Sequence, residues 1–171
     1  MLIPFFDISM LYVEDDAETR KNVSRMLERV VSKIYLASNG QEGLDMFREH
    51  VPELVVADIM MPVMNGLEMA RAIRQLAPDS QIIIMTAFNE IEHLLECINI
   101  GVNQFIPKPV DYEKLIQVIG RCSDIIQLKK NLKRQENSIY MLSQALEQAP
   151  TPLMFTFQAV LQGPNRLSAV S

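Results

Sequence analysis

The chain has 171 residues, 49% of them hydrophobic and 22% charged, with a formal net charge of −5. That length holds one full domain plus an appendage but hardly two complete domains, and the composition is that of an ordinary soluble globular protein. No apolar run approaches the roughly 20 residues needed to span a bilayer, and MLIPFFDIS at the start has no basic region and no small-residue cleavage site, so neither a membrane span nor a signal peptide is expected.

The charge is unevenly placed. Residues 1–124 carry 19 Asp and Glu against 11 Lys and Arg, whereas residues 125–171 carry 2 against 5. An acidic body suits cation or phosphate chemistry and argues against nucleic-acid binding. The tail's KKNLKR (129–134) reads as one solvated helix face.

In chain order, MLYV (10–13) is the first predicted strand, and it runs into Glu14, Asp15 and Asp16. Residues 17–31 follow, with Val23, Met26, Leu27, Val30 and Val31 at helical spacing, which predicts a helix over the whole span. Strands are then expected at 34–37 (IYLA), 53–57 (ELVVA), 81–85 (QIIIM) and 104–106 (QFI), with helices near 41–49, 66–76 and 89–100 between them. Gly40, Asn65–Gly66 and Gly101 punctuate the junctions. The strands are rich in Val, Ile and Leu without polar alternation, as parallel strands covered on both faces must be. Five βα units in about 120 residues imply a doubly wound α/β sandwich with a parallel sheet. Tyr12 belongs to the core of this pattern, His93 to a helix surface, and His50 to a helix end, where it favours the negative pole of the dipole. Cys97 and Cys122 have no pairing or metal spacing and read as inert thiols. Met60, Met61, Met64 and Met69 read as packing side chains.

From about Asp111 a last helix is expected to run to Ala149, where Pro150 and Pro152 stop it. Within it Ile125, Leu132, Ile139 and Leu146 recur every seven residues, with Leu128, Gln135, Leu142 and Ala149 three later. That is an a/d heptad pattern, broken only by Gln135. Roughly 35 helical residues would overrun a domain of this size by several turns, so a coiled-coil homodimer is expected, with Ile at a and Leu at d favouring a parallel pair. The expected division is therefore 1–122 as the main domain, 123–149 as a coiled-coil helix and 150–171 as a poorly ordered linker or the start of a further domain.

In parallel α/β sheets, functional groups collect beyond the carboxyl ends of the strands. Here the first strand delivers Glu14, Asp15 and Asp16, the third Asp58, the fourth Thr86 and the fifth Lys108. Oxygen ligands from Asp15 and Asp58, with waters and a backbone carbonyl, suit Mg²⁺, and a cation would relieve the repulsion between the carboxylates.

Taken together, LYVEDD, DIMMPVMNG, MTA and FIPKP, spread over residues 8–122, resemble the receiver domain of bacterial two-component response regulators. The resemblance implies a flavodoxin-like (βα)5 sheet in the order 2-1-3-4-5. It implies that Asp58 is the phospho-acceptor and that Thr86 and Lys108 contact the phosphoryl group. Glu14, Asp15 and Asp58 become the acids of an Mg²⁺ site to which Met60 can add its backbone carbonyl, while Asp16 is a surface acid. Thr86 and Phe105 become the switch pair, Ala87 leaves room for the phosphoryl group, and Lys108–Pro109 is a candidate cis bond. The implied partner is a sensor histidine kinase or phosphotransfer protein in the cytoplasm. The implied activity is a receiver's own aspartyl phosphorylation and dephosphorylation, not metabolic catalysis.

Departures from the family pattern carry their own expectations. Phe105 stands where many relatives have tyrosine, so packing alone must report its inward state. Met60 and Phe88, two beyond Asp58 and Thr86, are both apolar and cannot orient water, so slow self-dephosphorylation is expected. ALEQAPTPLMFT (145–156) resembles the opening of PAS sensory domains, but FQAVLQGPNRLSAVS does not continue it, so a truncated piece or a foreign tail is expected. Two rivals stand beside the receiver. A phosphohydrolase of the haloacid dehalogenase type would need Asp-x-Asp on the first strand, which Asp58-Ile59-Met60 on the third does not provide. The other is a constitutive dimerisation module whose acidic site is vestigial.

Overall fold

Parallel pairing of five strands builds a single sheet in the computed structural model, which describes residues 4–87 and 91–148. The strands are β1 (Phe6–Val13), β2 (Val31–Ala37), β3 (Leu54–Asp58), β4 (Gln81–Ala87) and β5 (Gln104–Lys108), in the order β2-β1-β3-β4-β5. Helices α1 (Ala17–Leu27), α2 (Gly40–His50), α3 (Gly66–Leu76), α4 (Ile91–Ile100) and α5 (Tyr112–Glu147) alternate with them. This is the doubly wound, flavodoxin-like order.

Successive strand residues point to opposite faces, so each apolar strand feeds two cores. On one face Ile8, Met10, Tyr12, Val56, Met85 and Ile106 pack with Val23 and Leu27 of α1 and Leu115 and Ile119 of α5. On the other, Leu11, Val55, Ile82 and Ile84 pack with Leu44 and Phe47 of α2, Met69 and Ile73 of α3, and Cys97 of α4. Central β3 is buried from end to end, while edge β2 is buried only at its two ends. Each large apolar side chain so buried contributes about 1.5–3 kcal/mol.

The first helix is shorter than its periodicity predicts. It ends at Leu27, and Val30 and Val31 reach the same core from a turn and from β2. The amide of Val30 donates to the Leu27 carbonyl at 2.9 Å, and the Val30 carbonyl accepts from Phe6 at 2.6 Å, so the chain is already joining the sheet. Apolar spacing could not separate a helix from a tight turn into a strand, because all five residues face one core. Strand β1 likewise begins four residues before its apolar run, since exposed Asp7 and the partly buried Ser9 interrupt it.

Helix α5 carries two different stripes. Leu115, Val118, Ile119, Cys122, Ser123 and Ile126 are buried. Continuing that stripe by three, four and seven residues meets Lys129, Lys130 and Lys133, so the core-facing stripe ends at Ile126. Ile125, Leu128, Leu132, Ile139 and Leu142 are exposed, and Leu146 is half-buried. The chain divides into two compact units, residues 1–127 and 128–171. Ala149, Pro150, Pro152, the remainder of the 150–171 segment with its PAS-like stretch, and Phe88 lie outside the described residues. Among the described residues no helix is long and apolar enough to cross a membrane.

Candidate functional site

Sheet register brings the strand ends level. Val13 pairs with Ala57, Asp58 with Met85, and Ala87 with Lys108. Glu14 and Asp58 therefore emerge side by side, and Lys108 reaches both. Its Nζ lies 2.6 Å from Asp58 Oδ2 and 3.3 Å from Glu14 Oε2. Asp15, which is exposed, completes the group: one carboxylate oxygen each from Glu14, Asp15 and Asp58 lie within 4.8 Å of one another.

Burial sets the electrostatics. Glu14 is 2% exposed and Asp58 6%. Loss of solvent raises the Glu14 pKa above the usual carboxylate value, Lys108 pulls it back, and the charge of Asp58 adds to the rise. For Lys108, burial disfavours the ammonium, but hydrogen bonding and charge from Asp58, then Glu14, outweigh it and hold its pKa above the ordinary lysine value. The second oxygen of Asp58 accepts the Ile59 amide at 2.8 Å. Closely spaced carboxylate oxygens are hard donors of the kind Mg²⁺ takes, and their mutual repulsion favours a cation. The residues present fit that ion.

Local structure explains how the acids are held. Asp16 caps α1, accepting the Thr19 amide at 2.7 Å. Arg20, one turn into the helix, donates to the carbonyls of Glu14 and Asp15. Asp-x-x-Thr before a helix was a legible capping signal, hidden because Asp16 stands beside two more prominent acids; nothing in the spacing marked Arg20. On the other side Asn65 and Glu68 form a capping box that starts α3, with the Asn65 side chain accepting from Leu67 and Glu68 at 2.9 Å. Just before this cap, Val63 has φ 72° at the centre of a turn in which the Met64 amide donates to Pro62 O at 2.9 Å.

The remaining residues singled out above are more scattered. Thr86 is buried at the end of β4, one residue beyond the partner of Asp58. Phe105, on β5, is 52% exposed. The Lys108–Pro109 bond is cis. Met61, Met64 and Met69 do pack against the α2–α3 core, but the Met60 side chain is exposed and is not a packing residue. His50 stacks on Tyr35 with ring centroids 4.2 Å apart, and His93 is half-buried on α4. Cys97 and Cys122 are free and buried, and burial pushes the Cys122 thiol up to about 11, which leaves it unreactive at neutral pH.

Residues 10–120 match the family model described as the response regulator receiver domain. The response regulator MprA of Mycolicibacterium vanbaalenii is 32% identical over 109 residues, covering 64% of this chain and 47% of that protein. MprA of Mycobacterium avium is 33% identical over 107 residues, covering 63% and 47%. The chain thus spans about half the length of these curated relatives. Among solved structures, the N-terminal domain of an uncharacterized protein from Wolinella succinogenes is similar with a TM-score of 0.68 at 30% identity, covering 71% of this chain and 98% of that one. A response regulator receiver domain protein from Clostridium thermocellum follows with a TM-score of 0.65 at 26% identity, covering 72% and 98%. On its motifs, its strand order and this match over residues 10–120, the chain belongs to the response regulator receiver domain family.

Proposed function

We propose that the chain is a phosphorylation-dependent signalling receiver in which Asp58 takes a phosphoryl group from the phosphohistidine of a sensor histidine kinase or phosphotransfer protein. One observation carries this reading: the buried Asp58 carboxylate lies 2.6 Å from the Lys108 ammonium at an edge shared with two further acids. An Asp58 oxygen attacks phosphorus, the bond from phosphorus to the imidazole nitrogen breaks, and its electron pair leaves with the imidazole. Lys108 is placed to neutralise charge on the phosphoryl oxygens in the loose in-line transition state. Glu14, Asp15, Asp58 and the Met60 carbonyl would hold Mg²⁺, which when bound screens the acids and the phosphoryl oxygens from one another. Thr86 would offer its hydroxyl to the phosphoryl group. Phe105, lacking a hydroxyl, would respond by packing alone.

Output runs through α5. In this reading residues 1–122 are the receiver and 123–149 a signalling helix, whose exposed Ile125, Leu128, Leu132, Ile139 and Leu142, with Leu146, pair two copies in a parallel coiled coil. The cytoplasm is the compartment in which such a partner kinase would meet it. Met60, exposed and apolar, offers nothing to orient an attacking water, which supports slow loss of the phosphoryl group. The alternative, constitutive pairing with a vestigial acidic site, is disfavoured because Lys108 still engages both Asp58 and Glu14.

The test is incubation with Mg²⁺ and a small phosphodonor, followed by intact mass and light scattering. We expect a single phosphoryl adduct on the wild type and none on Asp58→Asn. An adduct that survives the substitution overturns the reading, and an unchanged dimer before and after phosphorylation favours constitutive pairing.

A further inference from the structure

Tyr12 is a large polar side chain for which the chemistry above has no use. It stands on β1 two residues before Glu14, and so on the same face of the sheet. It is 0% exposed, and its hydroxyl has no hydrogen-bond partner among the described residues. Phenylalanine would fill the same space without burying an unpaired O–H, so the hydroxyl costs stability in this state. The strand partner of Tyr12 is Val56, two residues before Asp58, so the side chain lies on the face from which both Glu14 and Asp58 emerge. Burial, then the charges of Glu14 and Asp58, push its pKa far up, so the phenol keeps its proton and remains a donor.

Glu14 is the neighbour that would need such a donor. It shares Lys108 with Asp58, and its own contact is the longer, 3.3 Å against 2.6 Å. A phosphoryl group on Asp58 presents new anionic oxygens to that ammonium, drawing it from Glu14. What then faces this 2% exposed carboxylate is the Asp16 amide, 3.4 Å from Oε1, and the cation it would help to hold, so a further donor still serves to orient it. We propose that Tyr12 is a positioning residue for the phosphoryl-bearing state: its O–H donates to the Glu14 carboxylate when Lys108 turns to the phosphoryl group. The hydroxyl is then an idle donor in the resting state and a bonded one in the loaded state, which biases the protein towards loading. This inference rests on the Asp58 reading given above.

The two states predict effects of opposite sign for Tyr12→Phe. The experiment measures the melting temperature of the full chain without ligand, and the half-saturation by beryllium fluoride, a phosphoryl mimic, at fixed Mg²⁺. We expect Tyr12→Phe to melt at or above the wild type yet to bind beryllium fluoride roughly tenfold more weakly, the factor a hydrogen bond to a charged group carries. Tyr140→Phe, an exposed tyrosine of α5, serves as the control and should move neither value. A lower melting temperature, or an unchanged affinity, overturns the role of Tyr12 alone. If the wild type fails to bind, or Asp58→Asn binds equally well, the Asp58 reading falls and this inference with it.

Discussion

At Gly66 a Cβ atom would stand 2.0 Å from the carbonyl oxygen of Asp58. The Gly66 amide also donates to Ile59 O at 2.9 Å, so the turn closes tightly against the strand that delivers the acid. Gly66→Ala should therefore destabilise the chain by about 3 kcal/mol and lower phosphorylation at Asp58, checked by urea unfolding and intact mass; a wild-type midpoint would contradict this. Glu14 supplies a prediction with a pH window. Its folded pKa lies above the unfolded value, so its ionisation opposes folding above the folded pKa and is without effect below the unfolded one. The stability of Glu14→Gln relative to wild type should rise as pH increases from about 4.5 through the folded pKa, then level off; a difference independent of pH would show that burial does not perturb Glu14. At this scale the sequence was informative about residue types and silent about contacts. Asp58 and Lys108 stood out because a charge at the end of an apolar strand has few structural uses. That Lys108 would bridge both acids, or that Arg20 would hold two carbonyls, depends on distances that no spacing encodes.

Among the elements, strands and helices were legible wherever the apolar pattern ended at a glycine or a cap, as for α3, expected and found at 66–76. They blurred where one apolar pattern served two elements, as at Val30 and Val31, and where polar residues occupied an edge, as at Asp7 and Ser9. Helix α5 shows what pattern can resolve. Its buried stripe ends at Ile126, while the heptad stripe starts at Ile125 on a neighbouring face and stays exposed through Leu142. The first stripe packs against the sheet, and the second stays exposed and in the proposed reading would meet another copy. Replacing both Leu132 and Ile139 by Asp should weaken self-association by roughly a hundredfold or more without altering the beryllium fluoride affinity of residues 1–127. Light scattering across a concentration series checks this, and undiminished self-association would place any dimer contact elsewhere.

Taken as a molecule, the chain couples an acidic α/β unit to a helix segment of opposite charge. The doubly wound topology was readable because five parallel strands joined by helices leave few alternatives, and that topology put the acids at one edge before any coordinate was known. In the proposed reading the phosphoryl group acts beyond that edge, on the pairing of α5. The proposed signalling role stands or falls on Asp58 as the acceptor. The most direct measurement is to phosphorylate the chain with a small donor in Mg²⁺, reduce it with borohydride, which converts an aspartyl phosphate to homoserine, and map the product by peptide mass spectrometry. Homoserine is expected at position 58 and nowhere else. Homoserine at position 15, or none at all, would contradict it.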